Sequence, residues 1–143
     1  MLHIKRQNGF TLIELIIAIV IVGILAAIAY PSYVTSVMKA NRSEAKVELS
    51  DFAQRLQRCY TAFGKFNDST NCAVYKQLVA DPSPLSRGNA FYKITLASDP
   101  AVSATKYTLV ATAVKAPQIK DIKDGCDKLT LDQNGIKTPA VCW

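Results

Sequence analysis

Between Phe10 and Tyr30 the chain carries one charged side chain, Glu14, in an otherwise apolar run. At about 1.5 Å rise per residue these roughly 21 residues make a helix about 32 Å long, close to the ~30 Å hydrocarbon core of a bilayer. The stretch is expected to span a membrane, because a helix satisfies its own backbone polar groups where water is missing. Lys5 and Arg6 precede it, and no basic residue follows until Lys39. That asymmetry keeps the start of the chain in the cytoplasm and sends the body to the far side.

A cleaved secretory signal would need a small-residue cut site after the apolar run, where Ala26, Ala27 and Ala29 stand. Such leaders do not hold an acidic residue inside the apolar region, which argues against that reading. A plain anchor explains length and orientation but not Glu14, whose burial in lipid costs on the order of 2.5 to 3.5 kcal/mol. The carboxylate needs a partner.

Gly9-Phe10-Thr11-Leu12-Ile13-Glu14, behind a basic leader and ahead of the apolar run, resembles the processing motif of type IV prepilins. The resemblance implies that prepilin peptidase cuts between Gly9 and Phe10 on the cytoplasmic side. It further implies that Phe10 is N-methylated, and that residues 1–9 are the leader while the apolar stretch stays on the mature protein. Cleavage creates an ammonium, and in that family Glu14 would pair with this group on a neighbouring subunit and set register during assembly. Two local alternatives are pairing with the chain's own N-terminus one turn away, or complementing the positive end of the helix.

Beyond the apolar segment about 110 residues remain, enough for one small domain with a modest core. Of the formal net charge of +6, Lys5 and Arg6 account for two. The remaining basic residues are scattered, which suits a solvated surface and permits weak attraction to nucleic acid. The only histidine, His3, lies in the leader. Neither a glycine-rich phosphate loop nor a recognisable carboxylate pair occurs, so no enzyme, metal or cofactor is expected. Lys46 beside Glu44 and Glu48 reads as an ordinary exposed helical charge pattern. Four cysteines in a translocated domain point to disulfides, with three pairings open; no C-x-x-C pair suggests zinc.

Further along, Tyr33, Val34, Val37 and Met38 resume helical spacing after Pro31. Leu49, Phe52, Ala53, Leu56, Cys59, Tyr60 and Phe63 then recur at threes and fours. One long helix is predicted to about 63, apolar all round in its first half and amphipathic in its second. Gly23 and Pro31 are its weak points, and the pilin resemblance implies that this stretch loosens when a filament forms. Gly64 is a plausible C-cap. Residues 64–89 read as a connecting loop with a short helical turn around 74–79, punctuated by Asn67 to Asn71, Asp81-Pro82-Ser83-Pro84 and Arg87-Gly88-Asn89. Strands are predicted over 90–97 and 106–115, and a hairpin over 129–138 around Asn134-Gly135. Between them, Lys120-Asp121-Ile122-Lys123-Asp124 reads as a solvated loop.

The C-terminal run Cys126-Asp127-Lys128-Leu129-Thr130-Leu131-Asp132-Gln133-Asn134-Gly135, ending in Cys142-Trp143, resembles PilE-type minor pilins of gammaproteobacteria, as does Asn41-Arg42-Ser43-Glu44-Ala45-Lys46. Asp127 stands where that group often has glycine. Trp143 is read as a cap on the apolar sheet, with an interaction anchor as the alternative. Cys59 is expected to pair with Cys72, and Cys126 with Cys142. Each bond closes a short local loop, and the second resembles the disulfide-bounded ending of type IVa pilins; each is worth about 3 kcal/mol in the chain-entropy model.

The expected fold is α+β, the type IV pilin fold: a long N-terminal helix, its hydrophobic half protruding, packed on a three- or four-stranded antiparallel sheet. Its parts are a leader 1–9, a membrane and filament-core helix 10–32, and a globular domain 33–143 with an αβ-loop at 64–89, a sheet at 90–138 and a C-terminal region at 126–142. The resemblance implies a pilus subunit, most like a PilE-type minor pilin, resident in the inner membrane with a periplasmic domain before assembly and in an extracellular fibre afterwards. Implied partners are other major and minor pilins, prepilin peptidase and the inner-membrane assembly platform. A major type IVa pilin, a type II secretion pseudopilin and a DNA-binding receptor pilin are the alternatives.

Overall fold

A computed structural model describes residues 9–122 and 125–143. The basic leader residues Lys5 and Arg6, with most of the expected 1–9 segment, lie outside the described residues, as do Lys123 and Asp124. The chain divides into two compact units, Met1–Ser36 and Val37–Trp143. Helix α1, Leu12–Phe63, contributes to both. In the first unit the large apolar side chains from Phe10 to Tyr30 are exposed in the single chain, as expected of a stretch suited to lipid or to other copies of itself.

The second unit is built on the amphipathic half of α1. Ala45, Leu49, Phe52 and Leu56 fall at helical intervals on one face and are all buried. A four-stranded antiparallel meander faces them: β1 Tyr92–Leu96, β2 Thr108–Ala113, β3 Lys128–Asp132 and β4 Lys137–Thr138, in the order β1-β2-β3-β4. Strand alternation sends every second side chain inward, so Ile94, Ala111 and Leu129 share one cross-strand row and Leu96, Leu109 and Leu131 another. These residues join the helix face in a single core. Each fully buried leucine contributes about 1.5 to 3 kcal/mol. Tyr92 is also fully buried and donates its hydroxyl to the Cys126 carbonyl at 3.1 Å. Burial pushes its phenol up to about 12.

Strand ends are shorter than the hydrophobic patterning suggests. Ala90 and Phe91, for example, lie outside β1, and Ala90 takes a positive φ of 56°. The 64–89 connection is more structured than a loop. Gly64, at φ 74°, donates its N–H to the Tyr60 carbonyl at 2.8 Å and terminates α1. Phe66 then tucks inward, stacked on Tyr60 at 4.6 Å and edge-on to Tyr107 at 4.8 Å. A second helix, α2, covers Ala73–Val79 and buries Val74 and Leu78.

The chain holds two disulfides, Cys59–Cys72 and Cys126–Cys142. The first ties the end of α1 to the start of α2. The second ties the segment before β3 to the final 3-10 turn, Ala140–Cys142.

Two sequence readings need correction. Glu48, expected to be exposed, is buried and receives Arg87 Nε at 3.0 Å, while Glu44 packs against Gly88. The cause is long-range: the segment 85–89 folds back over the helix and bridges to β1 through Leu85 and Lys93. Asp121, expected to be solvated, is buried, receives both Nε and Nη2 of Arg42 from α1, and accepts a hydrogen bond from Gln118 Nε2 at 2.9 Å. A bidentate guanidinium supplies what a buried carboxylate requires.

Candidate functional site

The start of α1 gathers the residues that the sequence singles out. Gly9, Phe10 and Thr11 precede the first helical turn and have no regular structure. Phe10 is 90% exposed, and a Cβ placed on Gly9 would meet nothing within 4 Å. The Gly9–Phe10 peptide bond therefore lies outside the helix, at an exposed position.

Glu14 sits in the first turn of the helix, and Thr11 holds it. The Thr11 backbone N–H and hydroxyl donate to Glu14 Oε2 at 2.8 and 2.7 Å, and the Glu14 N–H donates back to Thr11 Oγ1 at 3.3 Å. This is a capping box, in which two orphan donors of the helix start are satisfied reciprocally. Thr11 is a capping residue that the sequence reading missed, although its signal was present: a threonine three residues before a glutamate, ahead of an apolar run. The box leaves the carboxylate at the exposed head of the helix.

Helix α1 is unbroken through Gly23 and Pro31. Pro31 donates no backbone hydrogen bond. Just beyond it, Thr35 Oγ1 donates to the Pro31 carbonyl and Ser36 Oγ to the Ser32 carbonyl, each at 3.0 Å. Such back-bonding competes with the helical ladder. A Cβ at Gly23 would meet nothing within 4 Å, so packing within the chain does not require glycine there.

In the second unit a loop anchor surrounds Asp68, which is buried. Its Oδ1 accepts N–H groups from Thr70 at 2.8 Å and Asn71 at 2.9 Å, and Lys65 lies 3.6 Å from Oδ2. The Asn71 N–H, followed by those of Thr70 and the Asn71 side chain and by the Lys65 charge, lowers its carboxyl to about 2 against the opposing effect of burial. Asp68 therefore stays ionised and fixes the turn leading into Cys72. The sheet face turned away from the helix is polar: Lys93, Thr112 and Lys128 form one cross-strand row, and Thr95, Val110, Thr130 and Thr138 the next.

Comparison with known proteins agrees with this arrangement. A family model described as type IV minor pilin ComP, DNA uptake sequence receptor, matches residues 31–130, and a prokaryotic N-terminal methylation motif matches 4–30. A type IV major pilin protein PilE1 of Neisseria gonorrhoeae is 32% identical over 76% of this chain and 49% of its own length. The type IV major pilin protein PilA of Myxococcus xanthus is 38% identical over 46% of this chain and 30% of its own. The chain thus spans half or less of the length of these relatives. A solved type IV pilin from Shewanella oneidensis superposes with a TM-score of 0.45 at 23% identity, covering 74% of this chain and 97% of that one. With its methylation motif, its long helix on a four-stranded sheet and a pilin family model over most of its length, the chain belongs to the type IV pilin family.

Proposed function

We propose that the chain is a minor subunit of a type IV pilus, helping to initiate the fibre or incorporated within it. The head of α1 carries this reading: an exposed Gly9–Phe10 bond, a capped glutamate beside it, and a long exposed apolar surface behind. In this reading prepilin peptidase cuts before Phe10 and methylates it while the second unit lies on the periplasmic side of the inner membrane. The assembly platform then extracts the subunit. Glu14 exchanges its local cap for the amine of a neighbouring subunit, and Gly23 and Pro31 let the helix loosen as apolar helices pack into the fibre core. Such contacts between different patches of like subunits propagate rather than close.

The minor assignment draws on the family model over 31–130, whose description is that of a minor pilin, while the relatives named above carry major-pilin names. Counting copies in sheared fibres decides between them. A minor subunit is a small fraction of the fibre mass, and dominance there would make this a major pilin.

A second reading, a receptor for DNA, is favoured by the same family description and by the Lys93-Thr112-Lys128 row, which presents two lysines without an acid between them. Full-length protein in detergent should shift duplex DNA at low salt, with affinity falling steeply as salt rises. No shift at low salt would remove this reading and leave the subunit reading intact.

A further inference from the structure

One groove in the second unit is unused by any role above. It has a volume of about 510 Å3 and runs between α1 and the C-terminal end of the chain, with Lys46, Val47 and Ser50 on the helix side and Lys137 and Trp143 opposite. Its two lysines face each other's charge. The Lys46 ammonium is pushed below its ordinary range first by partial burial, then by the charges of Arg42 and Lys137. Neither Lys46 nor Lys137 forms an ion pair among the described residues. Asp51 also lines the groove, but lies 3.6 Å from both Arg55 and Arg87. Val47 is 68% exposed, although it stands between buried core positions of α1, and the Trp143 indole N–H is buried without an acceptor. The site thus offers two lysines without ion-pair partners among the described residues and an exposed apolar surface in one place.

We infer that this groove is a docking site for a segment of a different pilin subunit that bears a carboxylate beside an apolar side chain. The carboxylate would lie between Lys46 and Lys137 and relieve their repulsion, while the apolar side chain would cover Val47 and the Trp143 ring. A second copy of this chain fits poorly, because without Lys5 and Arg6 of the leader each copy still carries a net side-chain charge of about +4. Nucleic acid fits less well than an acidic segment. The groove presents two cations, Lys46 and Lys137, whereas a nucleic-acid backbone is followed by a longer basic track lined with stacking rings. Charge complementarity of this kind selects the partner and the register of docking more than it adds affinity. The inference rests on the reading of the chain as a subunit that works among other pilins.

The test is a photoreactive phenylalanine analogue at Val47 of the full-length protein, activated in cells that assemble fibres, with the joined peptides sequenced from sheared fibres. The expected product joins position 47 to an Asp- or Glu-containing segment of another pilin. Its yield, normalised to the amount of variant in the fibre, should fall about tenfold in Lys46→Glu/Lys137→Glu and persist in Lys46→Arg/Lys137→Arg. Replacing the partner's acidic residue with lysine should restore the product in the Glu variant. Products with this chain alone or with DNA, no product, or equal yields in the charge-reversed variant would overturn the docking site. Absence of the wild-type protein from the fibres would instead overturn the subunit reading, so the two failures are distinguishable.

Discussion

Asp68 and Glu14 are both carboxylates that cap backbone N–H groups, yet they do different work. Asp68 is fixed in the folded domain, with its carboxyl lowered to about 2 from 3.8. Because the folded value is the lower one, the stability it adds is fully present above about pH 4 and is lost as the pH falls toward 2. Replacing Asp68 with Asn should flatten the acid limb of stability, measured as the denaturant midpoint of the full-length protein between ~pH 5 and pH 2. An unchanged acid limb would mean that other carboxylates set it. Glu14 is capped by Thr11 in the single chain and is exposed, and the proposed pairing would exchange this cap for a neighbour's amine. Thr11→Ala removes the local cap, worth about 1 kcal/mol of helix start, and should leave incorporation into fibres largely intact. Glu14→Leu should improve membrane insertion and abolish incorporation, as read from the ratio of protein in sheared fibres to protein in membranes. Equal incorporation of both variants would refute a role for the carboxylate in pairing.

Among the elements, α1 and the hairpin are legible in the sequence for the same reason: their signals are local. Leu49, Phe52 and Leu56 repeat at helical spacing, and Asn134-Gly135 marks a tight turn, with Gly135 at φ 80°. The ion pairs Arg42–Asp121 and Glu48–Arg87 were not legible, because their partners lie 79 and 39 positions apart in sequence and only the tertiary fold brings them together. The 85–89 segment shows what such distance hides. Gly88 reads as simple turn punctuation, yet it combines a φ of 73° with a would-be Cβ only 3.2 Å from Glu44 Oε2. Gly88→Ala should therefore cost about 1 to 2 kcal/mol through the left-handed backbone alone, seen as a lower denaturant midpoint. A neutral result would show that the segment shifts freely on α1. Removing the second disulfide through Cys126→Ser/Cys142→Ser should cost more, about 3 kcal/mol, since a small domain has little core to spare.

At the scale of the molecule, the same helix serves two environments. Its first half is apolar and exposed in the single chain, and its second half is the spine of a disulfide-tied domain whose core it completes. The candidate site at the head of the helix was readable from six residues, Gly9 to Glu14, because processing motifs are recognised as short sequences. The groove of Lys46, Lys137 and Trp143 was not readable, because it arises only when the chain end returns to α1. The central claim is that the apolar segment is kept, first as an anchor and then as fibre core, after a cut in front of Phe10. Intact mass and N-terminal sequencing of the subunit from sheared fibres test it most directly. The account predicts a chain beginning at Phe10, carrying one methyl group on its amine and with all four cysteines oxidised. A mature chain beginning after Ala27 or Ala29, with the apolar segment removed, would contradict it.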